Sequence, residues 1–92
     1  MDGQELAAMY ADFERWMPGF WTHRRPPAFE SDYAAVPMLE CAVLDELERR
    51  GFCVQVSAWG VIVGNGFTGD GPTRLHRLHA ACLAAFGTEA RP

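Results

Sequence analysis

The stretch VIVGNGFTGDGP, residues 61–72, supports two incompatible readings, and the choice between them decides the fold. Gly64, Gly66 and Gly69 spell G-x-G-x-x-G after an apolar run, the spelling of a dinucleotide-binding loop. Such a loop needs its helix to begin inside the motif, so that the helix N-terminus meets the pyrophosphate. Here Gly71-Pro72 postpones any helix until after the third glycine, and the Gly-Lys-Ser/Thr ending of a phosphate loop is absent. Asn65-Gly66, by contrast, is a strong type I′ hairpin signal. The glycines are therefore read as turn residues, and the segment as β-structure.

Upstream, FCVQVS and WGVIVG are two β-rich runs separated by almost nothing, which predicts a hairpin. FTGD, after Asn65-Gly66, is a short third strand if it pairs. Phe52, Val54 and Val56 alternate with Cys53 and Gln55, so one face must be covered. Downstream, a helix runs from Pro72 or Thr73 to Phe86. Its expected apolar stripe is Leu75, Leu78, Cys82, Leu83 and Phe86, and Gly87 stops it.

Two more helices precede the hairpin. One begins between Ser31 and Val36 and ends at Arg50, with Gly51 as its left-handed terminator and Val36, Leu39, Val43 and Leu47 as its buried stripe. Pro37 is tolerable there only within the first turn. The other buries Leu6, Met9, Phe13, Trp16 and Met17, is capped by Asp2 with Glu5, and ends at Pro18-Gly19. The predicted fold is α+β, in the order α-α-β-β-(β)-α. A small antiparallel sheet within residues 52–70 packs against helices 4–17, 32–50 and 72–86. One domain spans 1–92, with an aromatic, proline-rich connector at 18–30 and a tail at 87–92.

Composition narrows the function classes. The chain has 92 residues, a net charge of −4 and no lysine, so arginine carries every fixed positive side chain. An acidic total argues against non-specific binding to nucleic acid or anionic membrane. No run approaches the length of a membrane span, and no secretory leader is evident, so a cytoplasmic protein is expected. Cys41, Cys53 and Cys82 form no C-x-x-C and each reads as an apolar-set, reduced thiol.

No catalytic set emerges. His76 and His79 stand one helical turn apart, but only His23 or Cys82 could complete a metal site and no carboxylate joins them, so no metal and no cofactor is expected. Cys82 lies one turn from His79 yet on the buried stripe, where a thiol behaves as a small hydrophobe. Without a nucleophile, base and orienter in reach, enzymatic activity is not expected. Arg74, His76 and Arg77, at the start of the last helix, are the credible anion site of the chain. Acidic residues crowd the middle, and Trp21, Glu30, Asp32, Tyr33, Glu40 and Glu46 combine charge with aromatics as contact surfaces do.

FESDYAA leading into a helix that ends LERRGF, then VQVS, a Trp-led second strand and the closing LHRLHAACLAAFG, together resemble the phage ABA sandwich domain proteins over residues 3–87. That family comprises small phage and prophage proteins, mostly without assigned function. The resemblance implies phage origin and a non-enzymatic role, and it transfers no catalytic residue. Pro37 near the start of the central helix and a short third strand depart from the family pattern. The expected function is inhibition of a host protein complex, as anti-CRISPR proteins inhibit CRISPR-Cas effectors, by steric or charge-mimicking occlusion through Trp21, Glu30, Asp32, Tyr33, Glu40 and Glu46. A nucleic-acid binder using Arg74, His76 and Arg77 is the first alternative. An accessory protein that forms a homodimer through exposed aromatics such as Phe20 and Trp21 is the second.

Overall fold

A computed structural model describes residues 3–21, 35–57, 60–64 and 66–87. Helix α1 spans Gly3–Trp16 and helix α2 Ala35–Arg49. Strands β1 (Val54–Val56), β2 (Val61–Val63) and β3 (Phe67–Gly69) follow, and helix α3 (Arg74–Phe86) closes the order. The fold is α+β, and the third strand forms. The chain divides into two compact units, Met1–Glu46 and Leu47–Pro92.

In the first unit, α1 buries the stripe its spacing predicts: Leu6, Met9, Phe13 and Trp16, followed by Met17. Gly19 takes φ +82°, and Phe20 N–H reaches back to Met17 O at 3.0 Å. This reversal returns the start of the connector onto α1. The Phe20 ring lies 5.5 Å from that of Tyr10 and 6.1 Å from that of Phe13, while Trp21 stands edge-on to Tyr10 at 5.8 Å. The expectation of exposed aromatics here is therefore corrected. Phe20 is 2% exposed and Trp21 half-buried, because the left-handed glycine folds them onto their own helix. Asp2 and the connector beyond Trp21 up to Ala34 lie outside the described residues.

Helix α2 starts at Ala35, which puts Pro37 inside the first turn, where its missing N–H costs no helical hydrogen bond. Leu39 and Val43 are buried as predicted, Val36 only partly. The helix ends in a Schellman motif. Phe52 N–H bonds Leu47 O at 2.9 Å and Gly51 N–H bonds Glu48 O at 3.0 Å, with Gly51 at φ +87°.

In the second unit the three strands form one antiparallel sheet in the order β1-β2-β3. Val54 pairs with Val63 and Val56 with Val61; Val61 then pairs with Gly69 and Val63 with Phe67. This register leaves Gly64, Asn65 and Gly66 between paired residues, a three-residue connection rather than the two-residue turn read from Asn65-Gly66. Gly64 and Gly66 both take positive φ, at 64° and 117°, which is what the reversal asks of them; Asn65 is outside the described residues. Val54, Val56, Val61, Val63, Phe67 and Gly69 share one face, and Gln55, Ile62 and Thr68 share the other.

Helix α3 covers the first of these faces over β2 and β3. The approach is close. A Cβ on Gly69 would overlap Arg77 O and Ala81 N of the helix backbone, so this position admits no side chain without moving α3. The inward stripe of the helix is accordingly Leu75, Leu78, Ala81, Cys82 and Ala85. Leu83, expected inside, is 50% exposed, and Phe86 is half-buried with its ring 5.4 Å from Phe52. At 100° per residue Leu83 lies about 140° round the helix from the middle of that stripe. Small residues take its place because a strand backbone sits directly beneath.

Candidate functional site

The loop that opens the question resolves first. Residues 61–63 and 67–69 are paired strands, and α3 begins only at Arg74, after the last of the four glycines. Its N-cap is Thr73, in extended backbone, whose hydroxyl oxygen accepts from His76 N–H at 3.2 Å and lies 2.7 Å from His76 Nδ1. One hydroxyl thus holds both the main chain and the ring of His76. Just upstream, Asp70 accepts from Gly71 N–H at 2.8 Å.

This arrangement changes the chemistry open to Arg74, His76 and Arg77. They occupy the first turn of α3, where a helix N-terminus favours an anion. Yet Arg77 turns back and donates from Nη1 to Gly71 O at 3.2 Å, and its Nε is buried. His76 is half-buried with its ring on Thr73, and only Arg74 of the three is exposed. Two of the three side chains therefore stabilise the β3–α3 connection instead of facing outward. The binding of an extended phosphate backbone needs several outward cations, and this turn supplies one.

The six residues expected to contact a partner separate in a different way. Glu30, Asp32 and Tyr33 lie outside the described residues, and Trp21 packs edge-on against Tyr10. Glu40 and Glu46, expected on an outward contact surface, are instead buried, at 8% and 5% exposure. Helical arithmetic explains it. Measured round α2 from Leu39, Glu46 and Glu40 fall at the two margins of an arc of about 120° that also holds Leu39, Val43 and Leu47. Both glutamates take part in interactions within the protein. The outward acidic residues of α2 are instead Asp45 and Glu48, alongside exposed Arg49 and Arg50.

Thiol chemistry divides along the same inside–outside line. Burial pushes the Cys82 thiol up to about 12, so it stays protonated and inert at neutral pH. Cys41 and Cys53 are exposed, contrary to the apolar setting read for them, because Cys41 points away from the α2 stripe and Cys53 precedes an uncovered strand. Tyr10 is the other displaced group, its hydroxyl raised above the ordinary value by burial and, secondarily, by the Glu14 carboxylate. Among the described residues no three His, Cys, Asp or Glu side chains converge as a metal site would require.

Sequence reasoning passed over the surface with the clearest contact character. Ile62 stands at the centre of the middle strand on the face turned away from α3, 38% exposed, with Gln55 and Thr68 as its cross-strand neighbours. Val56 and Phe67 are exposed at opposite margins of the sheet, at 43% and 42%. The signal was present in the strict register that follows once β2 is known to be central: Ile62 has to face away from Val61 and Val63. No helix among the described residues is long and apolar enough to cross a membrane. No family model, no curated protein and no solved structure matches this chain.

Proposed function

We propose that this chain is a binding protein with no chemistry of its own, and that it acts by covering a surface of a host protein complex. The observation that carries this reading is the exposed sheet face: a large apolar side chain, Ile62, at the centre of the middle strand between Gln55 and Thr68. Apolar side chains ringed by neutral polar ones are favoured at the middle of protein interfaces, where charge is depleted. The resemblance to phage ABA sandwich proteins directs the reading toward a bacterial host, and inhibition of a CRISPR-Cas effector is the version we propose for so small and acidic a chain. Steric occlusion suits this geometry better than charge mimicry. Burial of Glu40 and Glu46 leaves α2 with Asp45 and Glu48 beside two arginines, a weak imitation of a phosphate backbone.

The test is capture of a partner from the bacterial host, identified by mass spectrometry, followed by variant binding to that purified partner. Ile62→Glu is expected to weaken binding by ~10-fold or more, the usual scale for a truncated or poisoned anchor. The double reversal Asp45→Arg with Glu48→Arg is expected to change mainly the association rate and its salt dependence, by a few-fold. Binding that survives Ile62→Glu unchanged would sink the sheet-face reading. Binding to DNA or RNA that is lost with Arg74→Glu would move the function to the start of α3.

A further inference from the structure

The outer edge of β1 is a second surface with a chemistry of its own. Gly64 N–H donates to Cys53 O at 2.8 Å and Ser57 N–H to Gly60 O at 2.9 Å, so the odd-numbered residues of this segment turn their main-chain groups toward β2. In an antiparallel ladder the alternate residues turn theirs the other way. Val54 and Val56 therefore present two N–H and two C=O groups outward, and among the described residues no strand pairs with them. Exposed sheet edges are normally guarded by charge, proline or a bulge. Among the described residues β1 carries none of these, and its one guard is its length of three residues. Residues 51–69, a run of 19, contain no charged side chain and no proline. Val56, on the same face as buried Val61 and Val63, is nevertheless 43% exposed.

We propose that β1 pairs with β1 of a second copy of this chain, antiparallel and centred on Gln55, joining two three-stranded sheets into one of six strands. The edge fits itself. Val54 and Val56 of one copy meet Val56 and Val54 of the other as hydrogen-bonded pairs, giving four main-chain bonds, while Gln55 stands opposite its own counterpart at the closely spaced, non-hydrogen-bonded position. Each exposed Val56 is then covered by a valine across the two-fold axis. Charge points to a second copy as well. Copies of a chain with net charge −4 repel over most of their surface, and this neutral strand is where they can approach. A three-residue edge buries less than the 1,200–2,000 Å² or so of a standard interface, so the association is weak and concentration-dependent. It stands independently of the host-partner reading.

Two experiments on the full chain test it. In sedimentation over about 10 µM to 1 mM, the weight-average mass of the wild type is expected to rise from 10.2 kDa toward twice that value. Val56→Pro removes only an outward N–H and leaves the β1–β2 ladder intact, and Gln55→Lys sets like charges face to face. Both are expected to remain at monomer mass with an unchanged circular dichroism spectrum. For the register, Gln55→Cys is placed in a background carrying Cys41→Ser and Cys53→Ser and exposed to a mild copper oxidant. Cα atoms ~4.5 Å apart suit a disulfide, so covalent dimer is expected at least ten-fold faster than for Thr68→Cys on the opposite edge of the sheet. A wild type that stays monomeric to ~1 mM overturns the proposal, as does equal cross-linking of the two cysteine variants.

Discussion

Helices α2 and α3 are both amphipathic, and each violates its simple reading in the opposite direction. In α2 two glutamates lie inside the buried arc; in α3 a leucine stands outside it while alanines take the inner positions. The difference lies in what each helix face must fit. The α3 face meets a strand backbone at Gly69 with no room for a branched side chain, so position and clearance outrank hydrophobicity. On α2 the glutamates sit at the margins of a wide stripe, where a long side chain can bury its stem and still place its carboxylate beside a partner. Angular position round the helix decides burial, and residue type then has to be reconciled with it.

The sharpest way to break this comparison is at Gly69. Gly69→Ala forces α3 off the sheet, and a loss of about 3 kcal/mol or more is expected in urea unfolding. A loss below 1 kcal/mol would mean that the helix backbone yields easily and that clearance does not select the alanines. Next comes the pair Glu46 and Glu48, two residues apart on one helix. Glu46→Lys reverses a buried charge and should cost ~2–3 kcal/mol, whereas Glu48→Lys on the exposed side should stay within ~0.5 kcal/mol. Equal effects would erase the inside–outside assignment of α2.

A smaller effect is expected at Gly51, where φ +87° and open space around the missing Cβ isolate the backbone contribution. Gly51→Ala should cost about 1 kcal/mol through left-handed strain alone. Smallest of all is Leu83→Gln. Its half-exposed side chain should contribute no more than ~0.5 kcal/mol, against ~2–5 kcal/mol for Leu78→Ala. A large loss at Leu83 would put it back in the core.

The element order was legible because its signals are local. Pro18-Gly19, Gly51 and Gly71-Pro72 punctuate the chain where the described elements end or begin, and Leu6, Met9, Phe13, Leu39, Val43, Leu75 and Leu78 repeat with the helical period. The nucleotide loop was excluded by signals of the same local kind: the late start of α3, the missing Gly-Lys-Ser/Thr ending and the Asn65-Gly66 turn. What escaped were facts set by contact across the fold. The exposure of Leu83 follows from Gly69, twelve or more residues from the alanines it selects at 81 and 85, and the burial of Phe20 follows from a ring on α1. The contact character of Ile62 required knowing that β2 is the middle strand. Glu40 and Glu46 are a different case. Their angles round α2 follow from the sequence alone, and there position outranks residue type.

The nearest-neighbour order of the second unit has a consequence for how it assembles. Strands adjacent in sequence are adjacent in the sheet, and the helix that follows β3 packs on β3 and β2. Every pairing closes a short loop, so little chain entropy is spent before contacts form, and relative contact order is low. Folding of this segment is expected within milliseconds or faster. Fast pairing covers the β2-facing edge of strand 54–56 early in synthesis, while its outer edge stays unpaired among the described residues after folding, so the aggregation hazard there is set by protein concentration and not by folding speed.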